Sequence, residues 1–145
     1  MLTTNILNDI NSSYIKEISN NLKPLIGKDI TSDIISGINN NTYPITIILL
    51  KNNELIGFYQ ITDHDNDSTL YTPWLANVFV KKEYRNQGYG RILIESIPNY
   101  MNKLNINTLY LHTRHQNLYE KFDWHLLEPL DLHDGIEINI YKLKK

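Results

Sequence analysis

The sequence predicts an α/β domain with layered strands and helices, in the order β-α-α-β-β-β-α-β-α-β-β along the chain. Three observations support this class. The chain has 145 residues, a length typical of one domain, and no linker, repeat or low-complexity tract divides residues 1–145. Apolar β-branched runs alternate with segments whose apolar residues recur at helical spacing. A loop with two closely spaced glycines joins one such strand to one such helix.

A short strand and a helix are predicted at the start of the chain. Leu2, Thr4 and Ile6 lie at every second position, so they share one face of an extended segment, which favours a strand. Ser12 and its polar neighbours can cap the helix that follows, while Pro24 and Gly27 bracket its end. The apolar face of this helix consists of Tyr14, Ile15, Ile18 and Leu22.

A second helix and a β-hairpin come next. The helix is predicted to begin at residue 31 or 32, and its pattern is lost from Gly37 onward. The β-branched run Ile45–Leu50 predicts a strand, and residues 51–54 predict a hairpin turn. The returning strand is predicted at Leu55–Thr62.

A fourth strand and the main helix flank the glycine loop. The strand is predicted at Trp74–Val80 and the helix at Gly90–Leu104. Pro98 lies inside this helix, where proline costs about 3 kcal/mol, so we expect a kink or a break with a restart near Asn99. The remaining predicted elements are a strand at Thr108–Thr113, a short helix at Gln116–Phe122, and strands at Trp124–Leu127 and Ile136–Tyr141.

The loop itself, residues 85–90, reads Arg-Asn-Gln-Gly-Tyr-Gly. A helix N-terminus attracts phosphate because its first amides lack intrahelical partners and the helix dipole is positive there. Gly88 and Gly90 remove the side chains that would keep a phosphate from these amides. A P-loop is excluded because Arg91 follows Gly90 where lysine is needed, and a dinucleotide fingerprint because Leu93 replaces its third glycine.

The loop resembles the pyrophosphate-binding motif Arg/Gln-x-x-Gly-x-Gly/Ala of the GNAT superfamily of acyl-CoA-dependent N-acyltransferases. Val80 ends the preceding strand at the distance from the motif that is usual in this superfamily. Residues 117–124 resemble its second signature, in which Asp123 stands where glycine is usual. Aspartate tolerates a positive φ better than most residues, so this departure is compatible with the resemblance.

The resemblance covers almost the whole chain and implies the GNAT fold, a mixed, mostly antiparallel sheet that splays between its fourth and fifth strands and is flanked by helices. It implies transfer of an acetyl group from acetyl-CoA to a primary amine of a small molecule or protein, by direct attack in a ternary complex. The cofactor-binding residues that it implies are Val78, Phe79, Val80, Arg85, Asn86, Gln87, Gly88, Tyr89, Gly90, Arg91, Asn117 and Tyr119.

Several of these residues have specific expected roles. The pantetheine arm is peptide-like, so the strand edge at Phe79 and Val80 is expected to hold it by backbone hydrogen bonds. A main-chain N–H near Val78 or Phe79 is expected to face the thioester oxygen, in a strand that usually carries a bulge. Arg91 is a candidate charged partner for the phosphates, and Asn117 for the pantetheine arm.

Tyr119 and His112 are the candidate catalytic residues. Tyr119 occupies the position where the general acid of the family commonly lies, and its phenol could protonate the leaving CoA thiolate; core packing is the alternative. His112, at the end of the fifth strand, is the preferred general base. The other candidates for the base are Asp63, Asp65, Glu128 and His115. The His112-x-x-His115 spacing also resembles a metal pair, but no third ligand is evident and we expect no metal.

The acceptor is not defined by the sequence. The loop residues Asp63, Asp65 and Asp67 would favour a cationic polyamine or aminoglycoside, although acidic loops are usually only solvated. Tyr71, Trp74 and Tyr84 either line an acceptor pocket or pack against the sheet. The uncertain base leaves open a non-catalytic acyl-CoA-binding or sensor module of the same fold, and a purely structural domain is a third alternative.

Composition excludes other functional classes. The chain has no cysteine, which excludes disulfides and a thiolate nucleophile and permits the cytoplasmic location that we expect. The net charge of −2 without a basic stripe argues against nucleic acid. No apolar run long enough to span a membrane and no signal-peptide pattern are present. The abundance of Asn, Ile, Lys and Tyr resembles that of AT-rich bacterial genomes. A homodimer through the last strands is a further expectation from the resemblance.

Overall fold

A computed structural model describes residues 1–63, 71–113, 118–131 and 137–144. The strands are β1 (Leu2–Ile6), β2 (Ile45–Lys51), β3 (Glu54–Thr62), β4 (Trp74–Val80), β5 (Thr108–Thr113), β6 (His125–Asp131) and β7 (Glu137–Lys144). The α-helices are α1 (Ser13–Ile26), α2 (Thr31–Asn40) and α3 (Tyr89–Lys103), and short 3₁₀ helices lie at Lys82–Tyr84 and Tyr119–Phe122.

The strands form one seven-stranded sheet in the order β1-β2-β3-β4-β5-β7-β6. Every neighbouring pair is antiparallel except β4 and β5, which are parallel. The predicted mixed, mostly antiparallel sheet is therefore confirmed. The β2–β3 turn is also confirmed, because Asn52 and Asn53 both adopt the positive φ that a tight hairpin turn requires.

Helices cover both faces of the sheet. On one face, Ile18 and Leu22 of α1 and Ile34 of α2 pack with Ile48 and Phe58 of the sheet. On the other face, the buried side chains of α3 pack with the opposite faces of β2 and β3; this cluster includes Leu93, Ile97, Met101, Ile47 and Leu49. Each helix thus buries one apolar stripe, which is the main source of its stability.

Two predicted ends of the N-terminal helices can be compared with the structure. Ser12 caps α1 by accepting a hydrogen bond from the Tyr14 amide (3.2 Å), and Gly27 ends α1 with φ +78°, as predicted. The prediction that α2 fades at Gly37 is wrong, because α2 continues to Asn40. Gly37 is buried against Pro44, so it serves close packing rather than helix termination.

Of the two outcomes predicted at Pro98, a kink or a break, the break does not occur. The helix α3 continues without interruption from Tyr89 to Lys103 and contains Pro98 in its interior. Ile97, Tyr100 and Met101, which flank the proline, are all buried in the core. Their burial contributes about 1.5–3 kcal/mol for each side chain, enough to offset the cost of the missing hydrogen bond.

The C-terminal elements differ in extent from the predictions. The 3₁₀ helix begins at Tyr119, and residues 116–117 of the predicted helix lie outside the described residues. β6 extends to Asp131, beyond the predicted end at Leu127, because it pairs with β7 along its length. Pro129 is tolerated there since β6 is an edge strand. Within the described ranges, no helix is long and apolar enough to cross a membrane.

Candidate active site

The glycine loop forms the N-terminus of α3. Asn86 and Gly88 both have positive φ (63° and 87°), which turns the chain from β4 into the helix. Gly88 is the N-cap and has no side chain to occupy the first amides; the first helical bond runs from Ile92 N to the Gly88 oxygen (3.3 Å). A Cβ on Gly90 would meet only a Val80 methyl group at 4.0 Å. The amides therefore border open space in which an anion would fit.

The charged side chains of the loop have defined positions. Arg85 folds back on β4, where its Nε donates to the Val80 carbonyl oxygen (2.8 Å) and its guanidinium lies 5.2 Å from the centre of the Phe79 ring. Arg91 is exposed and pairs with Glu95 one turn along α3. The first turn of α3 carries no acidic residue, so no negative side chain of that turn opposes an anion.

The polar side chains of Gln87 and Tyr89 brace the loop. Gln87 Nε2 donates to the carbonyl oxygen of Glu83 at 3.3 Å. Tyr89 accepts a hydrogen bond from Lys51 Nζ (3.3 Å), and its ring packs edge-on against that of Tyr84 at 6.3 Å. These side chains hold the loop in shape and leave its main-chain amides as the candidate groups for binding an anion.

A bulge interrupts β4, as predicted. Phe79 pairs with Phe58, and Ala76 pairs with Gln60. Two residues of β4 therefore oppose a single residue of β3 between these pairs. Asn77, the first residue of the bulge, has φ +56°, which asparagine tolerates better than most residues. The bulge lies immediately before the segment expected to meet the cofactor.

The sheet separates between β4 and β5, which confirms the predicted splay. Trp74 pairs with Tyr110 at one end, and the Tyr110 amide donates to the Pro73 oxygen (3.1 Å). No further pairing joins these two strands in the described part of the chain. The gap holds a cavity of about 330 Å³, here called the gap cavity, lined by Leu75, Ala76, Asn77, Val78, Leu111, His112 and Tyr119.

Both candidate catalytic residues line the gap cavity. His112 is half-buried, with its ring 6.1 Å from that of Trp74. The Tyr119 ring packs edge-on against Trp124 at 5.9 Å. Burial raises the pKa of Tyr119, because the charged phenolate is disfavoured away from water, so the phenol stays protonated at neutral pH. A protonated phenol at this position can donate a hydrogen bond or a proton into the cavity.

A second cavity of about 290 Å³ lies on the side of the sheet covered by α1 and α2 and is here called the helix-side cavity. Its lining includes two carboxylates, Asp33 and Asp63, and Asn77 is shared with the gap cavity. Lys28 Nζ lies 3.8 Å from the Asp33 carboxylate, and both side chains are mostly exposed. Burial, together with the negative charge of Asp63, raises the pKa of Tyr43 in the same wall. The cavity is therefore polar and carries acidic groups.

The aromatic residues do not form one acceptor wall. Trp74 is only 1% exposed, and Tyr71 stacks on Tyr110 at 4.8 Å at the closed end of the splay. Tyr84 packs beside Tyr89 at the glycine loop instead.

Four of the candidate site residues cannot be placed in the site. Asn117, His115 and Asp65 lie outside the described residues, as does the side chain of Glu128. No group of three potential metal-binding side chains occurs within the parts of the chain that the structure covers. Sequence reasoning missed Asn77, although a single asparagine within the apolar run of β4 is the signal that could have identified it.

Residues 43–126 match the model of the acetyltransferase (GNAT) domain. The chain is similar to a solved aminoglycoside 6'-N-acetyltransferase in complex with coenzyme A, at 14% identity and a TM-score of 0.73, over 98% of this chain and 96% of that one. A GNAT acetyltransferase from Streptococcus pneumoniae has 16% identity and a TM-score of 0.72, with both chains fully covered.

The ribosomal-protein-S18-alanine N-acetyltransferase from Escherichia coli has 19% identity and a TM-score of 0.64, over 99% of this chain and 94% of that one. At these identities the likeness shows a shared fold. No curated protein sequence in the comparison matches the chain.

Proposed function

This chain belongs to the GNAT acetyltransferase family, and we propose that it transfers an acetyl group from acetyl-CoA to a primary amine by direct attack in a ternary complex. One observation carries this proposal. An amide-lined helix N-terminus and the gap cavity lie at the two ends of one strand segment, Asn77–Val80, so a single extended molecule could occupy both. Phosphate groups at one end and a reactive acyl group at the other fit acetyl-CoA.

The cofactor would lie along β4. Its pyrophosphate would meet the amides of residues 86–90, where Gly88 has no side chain in the way; the Arg85 amide donates to the Lys82 oxygen instead. Its pantetheine arm would pair with the free edge of β4 at Val78–Val80, in the gap that β5 leaves open. The thioester oxygen would face a main-chain N–H of Val78 or Phe79 at the bulge. Asn117 remains the proposed partner of the pantetheine arm.

Tyr119 and His112 would divide the proton transfers between them. The phenol of Tyr119, kept neutral by burial, would protonate the departing CoA thiolate. The imidazole of His112 lines the same cavity and would take the proton that the attacking amine loses. The chain has no cysteine, so an acyl-cysteine intermediate cannot form, which is compatible with direct attack by the amine.

The helix-side cavity supports a small, polar amine as the acceptor. It shares Asn77 with the gap cavity, and Asp63 in its wall would attract a cationic amine, whereas Asp33 is already paired with Lys28 in the same wall. Structural neighbours include enzymes named for an aminoglycoside and for a ribosomal-protein alanine, so a protein amine is the alternative acceptor.

Calorimetric titration with acetyl-CoA tests the cofactor assignment. The informative variant is Gly88→Val, whose side chain would project at the amides of the loop. Gly27→Val is the matched control, because Gly27 also has a positive φ (78°) and open space around it but lies at the far end of α1. Both variants should lose comparable thermal stability, and only Gly88→Val should lose acetyl-CoA binding.

Thiol release with a panel of polyamines, aminoglycosides and peptide amines then separates the alternatives. Turnover with any amine supports the enzyme. Tight binding without turnover favours the non-catalytic acyl-CoA-binding module. Absence of binding to the wild type, or equal affinity in wild type and Gly88→Val, would contradict the cofactor assignment.

A further inference from the structure

Three polar side chains form a hydrogen-bonded chain across β2, β3 and β4. Asn77 Nδ2 donates to Gln60 Oε1 (2.8 Å), and Gln60 Nε2 donates to Thr46 Oγ1 (3.1 Å). Thr46 and Gln60 are also direct partners in the β2–β3 register and are only 2% and 3% exposed. Burying polar groups is costly unless they are paired, and here each donates to or accepts from the next.

These hydrogen-bonded side chains reach the bulge of β4 at Asn77, the residue with a positive φ. Asn77 adopts φ +56° where the β3–β4 ladder is interrupted, so regular pairing does not fix its conformation. The 2.8 Å bond to Gln60 supplies the missing constraint and ties the bulge to the buried centre of the sheet. Asn77 is also the residue that the two cavities share.

We infer that Thr46, Gln60 and Asn77 act as a positioning chain, which holds the bulge so that the main-chain N–H of Val78 is aimed at the acyl oxygen of the bound thioester. The inference rests on the proposed function. It makes Thr46 a residue that affects the acyl group although it lines neither cavity. A role limited to satisfying buried polar atoms would affect stability and leave the bound acyl group unchanged.

The test is the ¹³C resonance of acetyl-CoA labelled at the carbonyl carbon, recorded free and bound to the protein. A hydrogen bond to the carbonyl oxygen displaces this resonance from its free value. In Thr46→Val the bound resonance should return most of the way towards that value, while acetyl-CoA affinity changes by less than about threefold, since the phosphate loop is untouched. Asn77→Gly, which accepts the positive φ without strain, should do the same. Thr46→Ser keeps the hydroxyl and should retain the wild-type resonance.

Two variants serve as matched controls. Thr4→Val is the control for Thr46→Val, because it removes a hydroxyl of β1 that accepts a hydrogen bond from Tyr100 (2.8 Å). Asn105→Gly is the control for Asn77→Gly, because Asn105 is an exposed asparagine that also has a positive φ (58°). Both should leave the carbonyl resonance unchanged.

The possible outcomes separate this inference from the proposed function. A displaced resonance that persists in Thr46→Val and Asn77→Gly would overturn the positioning chain while leaving acetyl-CoA binding intact. No bound signal in the wild type would overturn the proposed function and the inference with it. If Thr46→Val fails to fold, Asn77→Gly alone tests the positioning chain. Asn77 is only half-buried, so its replacement is expected to preserve folding.

Discussion

Gly37 of α2 lies directly against Pro44, the residue immediately before β2. A Cβ on Gly37 would come within 2.4 Å of the Pro44 carbonyl oxygen, a distance that no packed atom pair adopts. The neighbours of this contact, Ser36 and Tyr43, line the helix-side cavity. The closeness of the two backbones therefore sets the position of one wall of the proposed acceptor site.

Gly37→Ala should destabilise the protein by about 1–3 kcal/mol, the usual cost of overpacking a rigid contact. The added methyl group meets backbone, which cannot move aside as a flexible side chain could. Urea unfolding provides the measurement. Ser32→Ala on the exposed side of the same helix is the control and should stay within about 0.5 kcal/mol of the wild type. Equal stability of both variants would contradict the close contact.

Gly90→Ala, unlike Gly37→Ala, should not destabilise the protein. The new methyl group would meet only Val80 Cγ2 at 4.0 Å, an ordinary contact, so the fold has room for it. Alanine favours a helix by up to about 1 kcal/mol over glycine. We expect an unchanged or raised melting temperature, and acetyl-CoA affinity within about threefold of the wild type, since the amides remain in place. Loss of binding would mean that the ligand passes closer to residue 90 than the loop geometry indicates.

Tyr119→Phe should reduce turnover by about 100-fold, within the range for a lost general acid, and change acetyl-CoA affinity far less. The ring and its contact with Trp124 are retained, so the missing group is the phenolic proton. Tyr100→Phe is the control, because it removes a phenol that bonds to Thr4 away from both cavities. Thiol-release kinetics and calorimetry give the two quantities separately; unchanged turnover would leave Tyr119 as a packing residue.

The pH dependence of the Tyr119 reaction has a definite sign. Burial raises the pKa of Tyr119 above its ordinary value, so the donor form persists to higher pH than for an exposed tyrosine. Wild-type activity should therefore not fall as pH approaches 10 through loss of this proton. The buried environment of Tyr119 would be contradicted if the activity of the wild type fell well below pH 10 while the residual activity of Tyr119→Phe did not.

Asp29 should make stability depend on pH in the acid range. Its carboxylate accepts hydrogen bonds from the Thr31 amide (2.8 Å) and from Ser19 Oγ (2.9 Å), which lower its pKa from 3.8 to about 2, the Thr31 amide being the largest cause. The folded state thus favours the ionised form. This contribution is fully present above pH 4 and is lost as pH falls towards 2.

The free energy of unfolding of wild type minus that of Asp29→Ala should accordingly be constant between pH 5 and 7 and shrink below pH 4. Urea unfolding at a series of pH values measures it. Asn20→Ala, on the exposed side of α1, is the control that leaves this carboxylate and its hydrogen bonds in place. A difference that does not vary down to pH 2.5 would show that the ionised form is not favoured by folding.

Sequence reasoning succeeded where local chemistry decides the structure. Positive φ at Gly27, Asn52 and Gly88 follows from residue type and neighbours, so the end of α1, the hairpin turn and the glycine loop could all be predicted. Strand pairing and the splay required the family resemblance in addition, because register depends on partners distant in the sequence.

The failures have a common cause in contacts that are distant in the chain. Gly37 ends no helix because its role is to meet Pro44, and Pro98 breaks no helix because buried neighbours on both sides hold α3 in place. The helix-side cavity joins α2, β3 and β4, so no single segment indicates it. Asn77 illustrates the same limit, since its partner Gln60 lies 17 residues earlier.

The splay between β4 and β5 has a consequence for which molecules can pair with the sheet. Beyond Trp74 and Tyr110, the described residues of each strand present backbone donors and acceptors that do not pair with the other strand. Such an edge, here placed in the middle of a sheet, is a template for pairing with a strand of another molecule. A ligand lying in the gap would cover both edges at once. An extended ligand and a strand of another molecule would therefore compete for the same backbone groups.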